Sequence, residues 1–281
     1  MFSAGAIILA GGKSSRMGSP KAALDWHGST LVRRVTGLAR RSVDGPVVVV
    51  RAPGQALPQL HPSIRVVSDA REGRGPLQGL AAGLAAIDEE AEVVYVSSTD
   101  VPLLHPAFIR RVVDAVTDEV DVALPEIHGF RQPLSAAYRT SLRPGVEALI
   151  AADKLKPAFL FERCRVRRLD DAAMLRDPAV AAGDPGLASV RNLNEPSDYE
   201  AAHAQAAPEV EVRRFGTLAK NGAPRVQRAA AWTLGQLADT IDLVLDEHVV
   251  AALNGDQITR ERELPLAAGD TVAFMVADAG G

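Results

Sequence analysis
The chain has 281 residues, 47% hydrophobic and 23% charged, with a formal net charge of −4. That length suits one large or two modest domains of ordinary globular composition, and no apolar run approaches the roughly 20 residues that span a bilayer. Residues 1–208 hold 24 acidic and 24 basic side chains but 209–281 hold 11 and 7, and aromatics are 4% of the chain, so neither a basic tail nor a stacking surface favours nucleic acid.

In chain order, "GAIILA" (5–10) reads as a first strand. The preceding "MFSA" has no basic n-region, so the start is expected to be mature protein rather than a signal peptide. A glycine-rich turn follows in "LAGGKSSRMGSPK" (9–21). Gly11 and Gly12 permit positive φ and let backbone N–H groups approach phosphate oxygens. Arg16 can grip phosphate bidentately, and Lys21 adds a point charge. The spacing is neither a Walker A loop nor the dinucleotide-binding G-x-G-x-x-G. A surface turn with solvated cations has the same composition.

Further strands are expected at 46–52, 63–69, 92–98 and 120–127, with amphipathic helices over 76–91 and 106–119. Continuous Val/Ile runs alternating with helices predict an α/β, Rossmann-like domain with a mostly parallel sheet covered on both faces. Ligands of such sheets sit beyond the carboxyl ends of the strands. Asp100, in "YVSSTDVPLL" (95–104), stands there, where a carboxylate can hold Mg²⁺ beside substrate phosphates. It can equally cap the helix starting near Pro106. Asn192 and Asn194, in "VRNLNEPSDY" (190–199), can complete a metal shell or hold phosphate, or serve as helix caps.

The Ala/Asp/Gly-rich segment 170–190 is expected to be a long surface loop, and 196–207 a closing helix. Cys164 stands alone, so no intrachain disulfide is possible; a reducing, cytoplasmic setting and a half-buried structural role are expected for it. The six histidines are scattered and give no zinc spacing. The domain boundaries predicted are 1–205 and 209–281. The second part reads strand (209–215), strand (225–230), helix (234–242) capped by Thr233, strand (249–254) and strand (271–276), a small β-grasp, ubiquitin-like pattern.

Taken together and in order, "LAGGKSSRMGSPK", "GPLQGLAAGL" (75–84), "TDVPLL" (99–104), "RQPLSAAYR" (131–139) and "NLNEPSDY" (192–199) resemble the molybdenum cofactor guanylyltransferases of the MobA type, over residues 5–203. The resemblance implies a Mg²⁺-dependent transfer of GMP from GTP to molybdopterin. Leu9, Ala10 and Gly11 would meet the nucleotide, and Arg16 and Lys21 its phosphates. Asp69 would lie at the nucleoside, and Asp100 would bind nucleotide and Mg²⁺, with Asn194 in the metal shell. That family usually carries an asparagine after the second strand, where this chain has Val50 and Arg51. Base choice therefore stays open, with a cytidylyl- or sugar-nucleotide transferase as the alternative.

Residues 209–281 resemble the sulfur carriers of the MoaD and ThiS type in "VEVRRFGTLA", "ALNGD" and "AAGDTVAF", and in the closing "AGG". The resemblance implies adenylation and thiocarboxylation at Gly281. The partners implied are an E1-like adenylating enzyme and the large subunit of molybdopterin synthase; molybdopterin carriers more often have a proline in the tail where this chain has "VADAGG", so another sulfur pathway stays open. A carrier or scaffold with a silent first domain is the remaining alternative.

Overall fold
Strands buried on both faces must be almost wholly apolar, and the runs singled out above become the middle of a sheet. The computed structural model describes residues 2–11, 21–69, 73–219 and 224–277. The chain divides into two compact units, Met1–His203 and Ala204–Gly281.

The first unit begins with β1 (Ala4–Leu9), a short hairpin of β2 (Asp25–Trp26) and β3 (Ser29–Thr30), then α1 (Leu31–Arg40), β4 (Val47–Arg51) and β5 (Arg65–Ser68). It continues through α2 (Pro76–Ile87), β6 (Val93–Ser98), α3 (Pro106–Asp114), β7 (Val122–Ile127), β8 (Phe130–Arg131) and β9 (Ser135–Arg139). After these come α4 (Arg143–Ala151), α5 (Ala158–Phe161), β10 (Val166–Asp170), α6 (Asp171–Leu175), α7 (Pro178–Gly183) and α8 (Pro196–His203).

The sheet order is β10-β7-β9-β6-β1-β4-β5, with β8 paired to β7. β1 lies parallel to both β4 and β6, and β4 to β5. Only β9, between β6 and β7, and the short β8 run against this direction. The sheet is therefore mostly parallel, as the sequence predicts.

Every residue of β1 is buried. Ile7 and Leu9 pack with Val48, Val50 and the α2 residues Leu77, Leu80 and Leu84. The intervening Ile8 faces the other side by strand alternation, where α1 lies against β1 and α3 against β6. Two glycines one helical turn apart let α2 approach closely. A Cβ on Gly83 would lie 2.5 Å from Ile7 Cγ2, and one on Gly79 3.0 Å from Leu9 Cδ2.

The segment 170–190 is not the loop expected from its composition. It folds as α6, α7 and a 3₁₀ turn, Ala188–Val190. Two of its aspartates are helix caps: Asp170 accepts from Ala173 N, and Asp177 from Ala179 N and Val180 N. Asp184, 5% exposed, accepts from Ala188 N and Ser189 N at 2.7 and 3.1 Å. Met174, Val180 and Leu187 supply the buried face that makes folding of so polar a stretch worthwhile. α3 is also shorter than the expected 106–119, giving way to a turn after Asp114.

α8 closes the unit on an aromatic cluster. Tyr199 Oη donates to Asp25 O at 2.7 Å, and the His203 ring stacks on His27 at 4.0 Å beside the buried Trp26. The outer strand β10 begins with exposed arginines. Arg165 pairs with Asp121 at 2.6 Å, Arg167 donates to Ala115 O at 3.1 Å, and Arg168 stands 3.9 Å from Glu126.

The second unit comprises β11 (Glu209–Arg214), β12 (Val226–Ala230), α9 (Leu234–Thr240), β13 (Val249–Leu253), β14 (Gln257–Thr259) and β15 (Thr271–Val276). Its sheet order is β12-β11-β15-β13-β14, with β11 and β15 parallel and the other pairs antiparallel. Thr233 caps α9 as predicted, accepting from Gln236 N. β14 is an addition to the sequence reading. Val212, Leu237, Leu253, Val272 and Phe274 form the core. Arg214, 8% exposed, donates to Ile241 O at 3.0 Å at the end of α9.

Two glycine substitutions should move stability in opposite directions. Gly83→Ala forces a methyl into Ile7 and should cost about 1–3 kcal/mol. Gly145→Ala, on α4 with open space around its Cα, should gain about 0.5–1 kcal/mol. Urea midpoints that shift the same way for both would contradict this packing.

A pH effect follows from the α8 anchor. Burial, and then the neighbouring His203, push the His27 imidazole down from 6.5 to about 4. The unfolded chain therefore binds a proton that the folded chain refuses. Stability from this group is full above pH 6.5 and falls as pH drops from 6.5 towards 4. His27→Asn, which suits the positive φ of 51° there, should flatten that fall in thermal melts.

Candidate active site
The parallel strands deliver their following turns to one rim, and a cleft of about 610 Å³ opens there. Its walls come from Leu9 and Gly11 at the end of β1, Arg51 and Ala52 at the end of β4, and Asp69 after β5. Gly75 and Pro76, at the head of α2, form another side. Ser98 and Asp100 after β6, with Asn192 and Asn194, complete it.

Of the residues expected from sequence, Leu9, Gly11, Asp69, Asp100, Asn192 and Asn194 line this cleft. Ala10 lies beside them, 8% exposed. Lys21, which opens the 3₁₀ turn Lys21–Ala23, is brought to Asp100: Nζ donates to Oδ2 at 2.9 Å, with the side chains 20% and 16% exposed. Gly12 and Arg16, also expected here, lie outside the described residues, as does Gly281. The Gly11 N–H is directed to Val50 O at 3.3 Å, and Ala10 N to the same oxygen at 2.8 Å. Gly11 therefore contributes its missing side chain rather than a phosphate-facing N–H: a Cβ there would lie 3.1 Å from Ala52 N.

The cap at the start of α3 falls to another residue. His105 Nδ1, not Asp100, accepts from Ala107 N at the start of α3. The N–H groups of Asn194 and Glu195 are taken by Asp198 Oδ2 at 3.1 and 2.9 Å. Those two bonds hold the Asp198 carboxyl below the usual range.

Several residues that shape the site were not singled out in the sequence. The Ser98 hydroxyl donates to Asp100 Oδ1 at 2.5 Å, so each carboxylate oxygen has its own partner. Arg34 of α1, 4% exposed, donates from Nε to Pro102 O at 2.5 Å and holds the turn after Asp100. Leu193 N donates to Asp100 O at 2.9 Å, which stitches the two asparagines to the same turn. Gln55 joins two rims: Nε2 donates to Ala10 O at 3.0 Å, and Oε1 accepts from Ala52 N at 2.9 Å. Only Ser98 was within reach of sequence reasoning, as a hydroxyl two residues before a rim aspartate.

The cleft's donors are oxygens: two carboxylates, a hydroxyl and the amide oxygens of two asparagines. Among the described residues, no group of three or more His, Cys, Asp or Glu converges as a metal cage. A hard cation that takes one or two carboxylates and fills its shell with phosphate and water fits this set. Cys164 is half-buried, and burial pushes its thiol up to about 11, which suits a structural rather than nucleophilic role. Among the described residues no helix is long and apolar enough to cross a membrane.

Comparison with known proteins agrees with the first unit. A family profile described as the MobA-like NTP transferase domain matches residues 6–168. A protein of Bacillus cytotoxicus named as a probable molybdenum cofactor guanylyltransferase is 29% identical over 169 residues, 59% of this chain and 84% of that protein. One of the same name from Bacillus cereus is 30% identical over 167 residues, covering 57% and 80%. The crystal structure of molybdopterin-guanine dinucleotide biosynthesis protein A from Archaeoglobus fulgidus superposes with a TM-score of 0.54 at 21% identity, covering 71% of this chain and 96% of that one. The 2-C-methyl-D-erythritol 4-phosphate cytidylyltransferase of Thermus thermophilus does so with a TM-score of 0.51 at 18% identity, covering 71% and 96%. Those two likenesses concern the fold. With the profile spanning more than half its length, the chain belongs to the MobA-like NTP transferase domain family and is a nucleotidyltransferase.

Proposed function
We propose that the first unit transfers GMP from GTP to the phosphate of molybdopterin, releasing pyrophosphate. The observation that carries this reading is the Lys21–Asp100 pair at 2.9 Å on a strand-end rim beside Asp69 and the two asparagines. An oxygen of the acceptor phosphate bonds to the α-phosphorus of GTP as the bond to pyrophosphate breaks, so no covalent enzyme intermediate is needed. The protein's part is positioning and charge. Leu9 and Gly11, with Ala10 beside them, would meet the nucleotide, and Asp69 would lie at the nucleoside. Lys21, with Arg16, neutralises charge that develops on the α-phosphate and the leaving pyrophosphate. Asp100, with Asn194 beside it, would hold Mg²⁺, which when bound supplies further neutralisation of the phosphate oxygens. The guanylyltransferase names of the relatives support guanine. Val50 and Arg51 stand where an asparagine was expected, so CTP is the comparison to make.

The second unit supports a separate reading as a β-grasp module. A mixed sheet with its first and last strands paired in parallel at the centre, and one helix after the first hairpin, is the arrangement expected of a ubiquitin-like fold. On this reading Gly281 carries the carboxylate that an E1-like enzyme adenylates and a sulfur donor converts to a thiocarboxylate, for delivery to the large subunit of molybdopterin synthase.

For the first unit, the full chain should form the guanine dinucleotide from GTP and molybdopterin in Mg²⁺, and turn over CTP at least tenfold more slowly; equal turnover would remove the guanine assignment. Lys21→Ala removes a charged hydrogen bond to phosphate worth roughly 1.5–3 kcal/mol, so kcat/KM should fall about 10- to 100-fold. Asp100→Ala should melt like the wild type yet lose Mg²⁺-dependent transfer.

For the second unit, the chain treated with a cognate adenylating enzyme, ATP and a sulfur donor should gain the mass of one oxygen-to-sulfur exchange. Deletion of Gly280 and Gly281 should prevent that gain while leaving guanylyl transfer in place. A full-length chain that never gains the mass would end the carrier reading.

A further inference from the structure
Asp100 is held at both oxygens, and by partners of different kinds. Oδ1 accepts from Ser98, a neutral neighbour on the end of β6, at 2.5 Å. Oδ2 accepts from Lys21, a cation on a separate turn, at 2.9 Å. The Ser98 bond is local and links two residues of one turn, which Arg34 and Leu193 tie down through Pro102 O and Asp100 O. The Lys21 bond spans 79 positions of sequence and depends on a flexible four-carbon stem. Lys21 and Asp100 are also the two groups that the proposed reaction assigns to opposite partners, phosphate and divalent cation. While joined, they cancel the charge that each would offer.

From this geometry we infer that Ser98 is a positioning residue that fixes the Asp100 carboxylate, and that Oδ2 is a single exchange position. Lys21 releases it when a triphosphate accepts the ammonium, and Oδ2 then becomes available to the cation. The inference rests on the nucleotidyltransferase reading of the cleft and adds an order to it. Phosphate and cation bind cooperatively because each removes the other's competitor. By linkage the coupling is reciprocal: removing the Asp100 charge from Lys21 should favour metal-free nucleotide, and removing the Lys21 charge from Asp100 should favour metal without nucleotide.

Binding to the full-length protein tests both halves. In EDTA, Asp100→Asn should bind GTP at least fivefold more tightly than the wild type by calorimetry. In a Lys21→Met background the same substitution should gain less, because no ammonium is there to be released. Without nucleotide, Lys21→Met should bind Mn²⁺ at least fivefold more tightly than the wild type, read from the free-ion paramagnetic resonance signal. Equal gains from Asp100→Asn with and without Lys21, or no gain in either arm, would overturn the exchange. For Ser98, alanine should lower kcat at least tenfold while leaving KM for GTP within threefold, and threonine should restore kcat. A change in KM alone, or no rescue by threonine, would remove the positioning role. A wild-type chain that binds no GTP even with Mn²⁺ present would instead defeat the nucleotide reading of the cleft, and the exchange with it.

Discussion
Complete burial of β1 is the constraint from which the first unit follows. A strand with both faces covered and both edges paired in parallel leaves no backbone group to solvent along its length. Its neighbours β4 and β6 must run the same way, so their connections cross the faces as helices. Three consecutive strand ends then emerge together. The cleft is where the sheet stops satisfying its own backbone and the turns must do so instead.

How those turns are satisfied explains why the cleft has a defined shape. Val50 O takes the N–H groups of Ala10 and Gly11, which closes the gap between β1 and β4. Gln55 repeats the closure from above with one amide used as both donor and acceptor. On the other side, Arg34 and Leu193 bind the carbonyls of Pro102 and Asp100. Side chains pointing into the cleft are thus carried on backbone fixed from behind, the condition for electrostatic groups to act without reorganising.

Much of this was legible in the sequence, and for identifiable reasons. Parallel buried strands write themselves as unbroken runs such as "VVVV", and a rim aspartate directly after such a run can hardly be elsewhere. Gly79 and Gly83 lie in the quoted "GPLQGLAAGL", but only their distance from Leu9 and Ile7 explains them. The segment 170–190 misled because Ala, Asp, Gly and Pro are loop formers by composition. Asp170 and Asp177 are helix caps, and the three apolar residues that decide the matter are spaced too widely to give a periodic signal. Strand β14 is three residues long, below what alternation can reveal. Gln55, Arg34 and Leu193 act through partners 45, 68 and 93 positions away, and no local pattern encodes such a meeting.

The arginines at the start of β10 reach beyond the fold itself. An outer strand exposes a row of unpaired donors and acceptors that another copy can extend. Here two such edges brought together at the strand spacing of about 4.8 Å would set Arg165, Arg167 and Arg168 against like charges. Arg165 is matched by Asp121 at 2.6 Å, but Arg168 shares Glu126 with Arg131 at 3.9 Å and Arg167 donates to a carbonyl, so positive charge is left along the edge. The repulsion works over the screening length, about 8 Å at physiological ionic strength. Colloidal behaviour is therefore written into one edge: dilute salt keeps the copies apart, and concentrated salt weakens the barrier to stacking.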